Sequence, residues 1–406
     1  MKLLKNKEHV RLGSICSKIG SGATPRGGDG VYVDAGTSFI RSQNVYNGEF
    51  ETAGLTYLTE QHSEQLKGVA VESRDVLLNI TGDSVARCCQ VPDSVLPARV
   101  NQHVSIIRPD EKELLPEFLC YYLISPLMQK YLLSRAGSGG TRKALTKGMI
   151  EDFEIPKPAV VIQRRIVEIL SSFDDLIENN RRRIQLLEQA ARLLYKEWFV
   201  HLRFPGYEHA KVVDGVPEGW EKKLLGDVCF EVRETVSPND LEPNTPYIGL
   251  EHMPRRSITL CEWGQAEQVT SGKHRFREGE ILFGKIRPYF HKVGIALTDG
   301  MASSDAIIIR PTSPHLLAFV LLTTSSDWFV TVTAQQMKEG SKMPRADWKQ
   351  MQKYLVPLPP EGLLRALSDI IDPILSQLKT LAFANKRISI ARDLLLPKLM
   401  NGEVAV

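Results

Sequence analysis

No run of apolar residues in the chain approaches the ~18 to 20 that a membrane-spanning helix needs, and none of its six cysteines belongs to a CxxC pair. The first absence excludes a helical membrane protein. The second, with Cys16, Cys88, Cys89, Cys120, Cys229 and Cys261 scattered along the chain, argues against a disulfide framework and for a reducing compartment. The opening Met1-Lys2-Leu3-Leu4-Lys5-Asn6 lacks the apolar stretch of a signal peptide, so a cytoplasmic location is expected. Catalytic signatures are missing as well. The nine histidines form no HExxH or comparable metal-ligand spacing, and there is neither a glycine-rich dinucleotide fingerprint nor an Asn-Pro-Pro-aromatic adenine-methyltransferase motif. Gly279 to Lys285 has the spacing of a phosphate-binding loop, but Ile286 stands where a Mg²⁺-ligating Ser or Thr is required, and Glu280-Ile281-Leu282-Phe283 reads as a strand. Pro109-Asp110-Glu111-Lys112 has nuclease-like letters, yet they crowd into a turn and find no match elsewhere. The chain by itself is therefore expected to be non-catalytic, with no metal or cofactor of its own.

What is present is an ordinary globular composition: 406 residues, 43% hydrophobic and 24% charged, enough for two or three domains. A net charge of +3 and a pI near 8.4 permit a nucleic-acid partner without requiring one.

The chain is also written twice. Leu12-Gly13-Ser14-Ile15-Cys16 is echoed by Leu225-Gly226-Asp227-Val228-Cys229, and Glu154-Ile155-Pro156-Lys157-Pro158 by Leu355-Val356-Pro357-Leu358-Pro359. Between them, Asp75-Val76-Leu77-Leu78 is answered by Glu280-Ile281-Leu282-Phe283, and Ile106-Ile107-Arg108-Pro109 by Ile308-Ile309-Arg310-Pro311. An ordered repeat of this length makes architecture the first question. Strands are expected at 37–41, 75–80 and 104–108, with a helix over 117–133; the second half repeats them at 247–248, 281–283 and 306–309, with a helix over 315–323.

After each Pro-x-Pro stop comes helical periodicity. Ile162, Ile166, Ile169, Phe173, Ile177, Asn180, Ile184, Leu187, Ala191, Leu194 and Trp198 form a heptad seam with one stutter. Leu363, Leu367, Ile370, Ile374, Leu378, Leu381, Asn385 and Ile388 repeat the spacing and the stutter. Asp372-Pro373 predicts a restart or kink in the second helix, and Pro397 an end or bend. A first helix of about 38 residues would carry the chain ~57 Å at ~1.5 Å per residue, and antiparallel pairing of the seams would return the C-terminus beside the first domain. Asn180 and Asn385 would then lie in the seam at different levels, where a polar residue can fix register; a tolerated asparagine near a helix surface is the alternative. The fold class expected is α+β. Two α/β domains, 1–155 and 220–356, are joined through helices at 156–200 and 357–406 and a linker at 201–219, with a pseudo-two-fold repeat.

Two similar but diverged domains at a fixed spacing suit an elongated ligand with two separated half-sites, and double-stranded DNA is the candidate. In the first half the residues suited to DNA contact are Arg41, Gln43, Asn44, Arg87, Arg99, Asn101, Gln102, Thr141, Arg142 and Lys143. In the second they are Lys273, Arg275, Lys285, Arg287, Tyr289, Lys292, Lys342 and Arg345. Arg, Gln and Asn can contact base edges in bidentate fashion, and Lys suits phosphate. A solvated surface charge is the alternative for any one of them.

The chain resembles the specificity subunit of type I restriction-modification systems. The resemblance rests on Gly22-Ala23-Thr24-Pro25-Arg26, the Asp75 to Leu78 strand followed by Gly82, Asn101-Gln102-His103, Ile155-Pro156-Lys157-Pro158 running through Gln163, Leu194-Tyr195-Lys196-Glu197-Trp198-Phe199, and Gly284-Lys285-Ile286-Arg287-Pro288-Tyr289. It implies two target-recognition domains reading an asymmetric bipartite site, and spacer helices that dock two modification subunits. S-adenosylmethionine chemistry would sit on those subunits, and ATP-driven, Mg²⁺-dependent translocation and cleavage on restriction subunits. Outside the seam, Leu170, Leu186, Leu193, Phe199, Ile371, Leu375, Ile390 and Leu396 leave apolar helix surface that partner helices could bury; packing on the flanking domains is the alternative. A non-catalytic adaptor with duplicated protein-binding domains is the competing reading of the whole chain.

Overall fold

The computed structural model describes residues 9–25, 27–137, 143–213, 215–336, 344–404 and 406. The chain packs as two compact units, Met1–Asp175 with Ile388–Val406, and Leu176–Arg387. Each unit takes in a stretch of both long helices.

In the first unit two sheets share one frame. One has the strand order Cys16–Ser21, Val104–Pro109, Val76–Asn79, Cys88–Gln90, all antiparallel. The other runs Tyr32–Val33, Thr56–Leu58, Thr37–Ile40, Ala98–Val100, Ala70–Val71, with a parallel pair of Thr37–Ile40 and Ala98–Val100 at its heart. The second unit repeats both. Cys229–Val232, Ala306–Pro311, Ile281–Gly284 and Val293–Ala296 follow the order of the first sheet and add Thr259–Leu260 at the edge. Pro246–Ile248 pairs in parallel with Gly300–Ala302 in the other. A short pair closes each domain, His9–Arg11 on Glu154–Pro156 and Glu221–Leu224 on Leu355–Leu358.

The sequence landmarks of the repeat are the ends of one ion pair. Asp75, buried just before its strand, accepts from Arg108 Nε at 2.7 Å and Nη2 at 2.8 Å, and from the Glu72 amide at 2.7 Å. Glu280, equally buried, pairs with Arg310 and accepts the Arg277 amide at 2.9 Å.

Strands fall where alternation placed them, but the helix expected over 117–133 is two, Pro116–Ile124 and Pro126–Gly137. Ser125 is extended, ψ 145°, because the ring of Pro126 clashes with a helical residue before it. The second half likewise has Leu317–Thr324 followed by a further helix, Asp327–Gln335.

The long helices are Val160–Tyr195, ending in a π-helical turn Lys196–Val200, and Glu361–Asn401. The second helix runs unbroken through Pro373 and Pro397, so it neither restarts at the first proline nor ends at the second. A proline inside a helix costs roughly 3 kcal/mol, and burial of Leu367, Ile371, Leu375 and Leu378 around the first proline, and of Leu396, Leu399 and Met400 around the second, holds the flanking turns in place. Within the second unit the helices pair antiparallel, and Asn180 Nδ2 donates to Asn385 Oδ1 at 2.9 Å while Asn385 Nδ2 donates to the Ile177 carbonyl at 3.2 Å. The two asparagines meet at one level of the seam rather than at different levels. Within the first unit Ile166 and Leu170 share a core with Leu396, Leu399 and Met400, and Asp174 takes Arg392 at 2.5 Å and the Tyr121 hydroxyl at 2.5 Å.

Five of the eight apolar residues assigned to partner docking are core. Leu170, Phe199, Ile371, Leu375 and Leu396 are each 9% exposed or less, because domain helices cover the face that a bare two-helix coil would leave open. Ile370, placed in the seam, is 44% exposed and Ile371 takes its place. Leu186, Leu193 and Ile390 remain more than half exposed. Among the described residues no single helix is long and apolar enough to cross a membrane.

Candidate nucleic-acid interface

Three loops converge at the same end of the principal sheet in each unit, and the same backbone hydrogen bonds tie them. In the first, the Ile80 amide donates to the His103 carbonyl, the Leu145 amide to the Ile80 carbonyl and the Gly82 amide to the Lys143 carbonyl, at 2.8 to 3.2 Å. In the second, Lys285 donates to Asp305, Ala346 to Lys285 and Arg287 to Pro344, at 2.7 to 3.0 Å. A fourth loop joins them. Asn79 Nδ2 reaches the Ser42 carbonyl at 2.8 Å, and Lys292 Nζ the Leu250 carbonyl. There Asn44 Oδ1 accepts the Arg41 amide and His252 Nδ1 the Gly249 amide, both at 3.0 Å.

The central loops, 80–87 and 285–292, match residue for residue. Gly82 (φ 75°) corresponds to Arg287 (φ 49°) and Ala86 (φ 74°) to His291 (φ 54°), all left-handed. Glycine adopts that conformation freely, whereas an arginine, here also followed by proline, is strained by it. A strained residue persists only where its surroundings over-determine it, and such residues gather at functional sites.

On this common frame the side chains differ. In the first unit Gln102 Nε2 donates to His103 Nε2 at 3.2 Å, which leaves His103 Nδ1–H to donate to Thr81 Oγ1 at 2.6 Å; the Thr24 hydroxyl donates to Gln102 Oε1. Arg87 lies 4.6 Å over the ring of the exposed Tyr46, and Lys143 is exposed beside them. The second unit is more cationic. Lys285 donates to the Ser304 carbonyl at 2.9 Å, and burial, with Arg233 and Arg345 nearby, holds it below the ordinary lysine range against the opposing pull of Glu231 and Asp305. Burial and Arg255 lower Lys292 in the same way. Arg345 pairs with Asp305 at 3.4 Å. Arg255 stacks 4.1 Å from the Phe290 ring, with Arg287 5.8 Å from it, and Tyr289 beside them is 54% exposed.

The structure thus brings together Arg41, Gln43, Arg87, Gln102 and Lys143 in one unit, and Lys285, Arg287, Tyr289, Lys292 and Arg345 in the other. Others do not join them. Asn44 is fully buried and spends both ends of its amide on Arg41 and Glu51. Asn101 is 6% exposed and its Oδ1 accepts the His103 amide. Arg99 is tied to the carbonyls of Ser63 and Ala98 on the second sheet. Lys273 and Arg275 stand on the strand Lys273–Phe276 of the corresponding sheet, Arg275 facing Glu234 at 3.5 Å. Thr141, Arg142 and Lys342 lie outside the described residues. Sequence reasoning missed Thr81, Ser304, Asp305 and Arg255; aligning the halves through Gly82 and Arg287, and through Asn44 and His252, would have exposed them.

The family model for the type I restriction modification DNA specificity domain matches residues 5–189. The chain is 24% identical to the type I restriction enzyme MjaIX specificity subunit of Methanocaldococcus jannaschii, over 76% of this chain and 74% of that one. It is 28% identical to the EcoDI specificity subunit of Escherichia coli over 60% and 59%, and 21% identical to the HindI specificity subunit of Haemophilus influenzae over 90% and 94%. Its fold is similar to that of the type I restriction-modification S subunit of M. genitalium, with a TM-score of 0.59, 15% identity and 98% of each chain covered. These relatives span both halves of a chain whose halves share one frame, and each of them is a type I restriction-modification specificity subunit.

Proposed function

We propose that the chain is the DNA-reading subunit of a type I restriction-modification complex and that its two domains read the two unlike parts of an asymmetric bipartite site. One observation carries this reading: four loops held by matched hydrogen bonds in both units present different polar and cationic side chains from the same backbone. A shared frame positions, and different side chains specify. The chain supplies no chemistry. Two modification subunits with S-adenosylmethionine, and restriction subunits using ATP and Mg²⁺, would dock on the helices, where Leu186, Leu193 and Ile390 are exposed.

Mapping adenine methylation in a host that carries this chain and its modification subunits is expected to give one asymmetric motif in two parts; a contiguous palindrome would sink the reading. Affinity of the complex for DNA is expected to fall steeply with salt through counterion release.

Arg287→Gly separates strain from recognition. Removing a left-handed arginine is expected to stabilise the second unit by about 1 kcal/mol, since strain of this kind costs roughly 1–3 kcal/mol. Affinity for the methylated motif should fall by about tenfold, as a lost Arg contact to DNA costs roughly 1–3 kcal/mol. Unchanged affinity would remove Arg287 from the interface.

A further inference from the structure

The first long helix presents two charged residues, one turn apart, to a loop of the second domain. Glu188 is 4% exposed, and its Oε1 accepts from Ser257 Oγ at 2.7 Å, the Ile258 amide at 3.1 Å, the Thr259 amide at 2.9 Å and Thr259 Oγ1 at 2.6 Å. Arg192, four residues on, donates from Nη2 to the Arg256 carbonyl at 2.6 Å. Five hydrogen bonds therefore bind the segment 256–259 to one helix face, and turning the helix would break them together. A single residue accepting so many bonds fixes rotation as well as distance.

The gripped segment is wired to the candidate DNA loop. The Arg256 amide donates to the His291 carbonyl at 2.9 Å, and its guanidinium pairs with Asp327 at 2.7 Å. His291, buried, lies 3.4 Å from the same carboxylate through Nδ1 and donates from Nε2 to the Ser325 carbonyl at 2.8 Å. Arg256 and His291 both hold left-handed backbone, φ 56° and 54°, a conformation that L side chains adopt only under such constraint. The path from helix to loop is thus continuous: Glu188 and Arg192, the 256–259 segment, His291, and then the loop 285–292 that carries Lys285, Arg287 and Tyr289. In the first domain Ala86 stands at the position of His291, and its methyl group has no polar atom to extend such a link.

We propose that Glu188 and Arg192 are positioning residues for recognition by the second domain. They lock the 285–292 loop in angle and height on the spacer helix, so that the second half-site is accepted at one spacing only. This rests on the DNA-reading function proposed above. They touch no DNA; their effect is on where the loop can go.

The test uses the full chain assembled with its modification subunits, and methylation rates on three duplexes: the mapped site, the site with one base pair added to its spacer, and the site with a mismatch in the first half-site. Wild type is expected to reject both altered duplexes. Arg192→Ala and Glu188→Ala are expected to lose about tenfold of the rejection of the longer spacer, the equivalent of one charge-assisted hydrogen bond, and to keep the rejection of the first-half mismatch. Glu188→Gln retains the acceptor oxygen and is expected to stay close to wild type. If Arg192→Ala and Glu188→Ala keep the wild-type spacer ratio, whatever happens to their thermal stability, the lock is overturned. A wild-type complex that fails to reject the first-half mismatch overturns the DNA-reading function instead.

Discussion

Arg108→Ala is expected to cost the first unit about 3–5 kcal/mol, and Arg310→Ala to cost the second unit a comparable amount, because each change strands a buried carboxylate. The side chain of Asp75 is 0% exposed, and Arg108 approaches it with two parallel N–H donors. Removing Arg108 leaves one amide, that of Glu72, to solvate the charge. Arg108 is itself 21% exposed and also meets Glu72, so water can enter the vacated volume, which places the loss toward the lower end of that range. The two variants can be told apart in the intact chain. All five tryptophans, Trp198, Trp220, Trp263, Trp328 and Trp348, lie in the second unit, so Arg310→Ala should lower the urea midpoint seen by tryptophan fluorescence, and Arg108→Ala chiefly the one seen by circular dichroism. Replacing both Asp75 and Arg108 with leucine should recover much of the loss, since a well-packed apolar pair often equals a buried ion pair. A loss below about 1 kcal/mol for Arg108→Ala, the range of an exposed pair, would mean that the pair is screened.

That ion pair also shows what was legible in the sequence. Asp75 and Glu280, Arg108 and Arg310 stood out as landmarks because they bracket strands of alternating or continuous apolar residues, and the pairing that explains them needed only the fold to bring them together. The seams were legible for the same reason, a period. Less legible was everything set by long-range packing. Ile370 and Ile371 differ by one position, and heptad spacing chose the wrong one because it knows only the partner helix, whereas Ser368 on the same helix donates to the His315 carbonyl of the domain at 3.1 Å. Asn44 and Asn101 have the right chemistry for base edges but spend it on backbone turns, a use that short polar side chains compete for wherever a loop must be closed. The candidate interface was half-legible: its residues were gathered by type, while the four-loop frame that selects among them depends on positive-φ positions that composition does not mark, Arg287 above all.

Phe199→Ala carries the largest expected change among the helix residues, about 3–5 kcal/mol off the second unit, the usual range for emptying a buried aromatic site. Heptad spacing points Trp198 inward and Phe199 outward. The π-helical turn Lys196–Val200 widens the helix there, closed by the His201 amide on the Lys196 carbonyl at 2.9 Å, and both rings turn into the core. Phe199 stacks on Tyr195 at 5.0 Å between centroids and packs against Phe319 at 5.2 Å and Trp220 at 5.6 Å. Aromatic contacts of this kind add to the area buried. Leu193, six residues earlier and 52% exposed, provides the control: Leu193→Ala is expected to leave the urea midpoint within the roughly 0.5 kcal/mol typical of surface changes. If partner subunits dock on the exposed leucines, Leu186→Ala with Leu193→Ala should weaken assembly with the modification subunits at full fold stability, and Phe199→Ala should weaken assembly only in proportion to the chain that unfolds. A Phe199→Ala chain that keeps its midpoint and loses its partner would return Phe199 to the docking surface and make the π-turn, rather than the leucine face, the place where the partner binds.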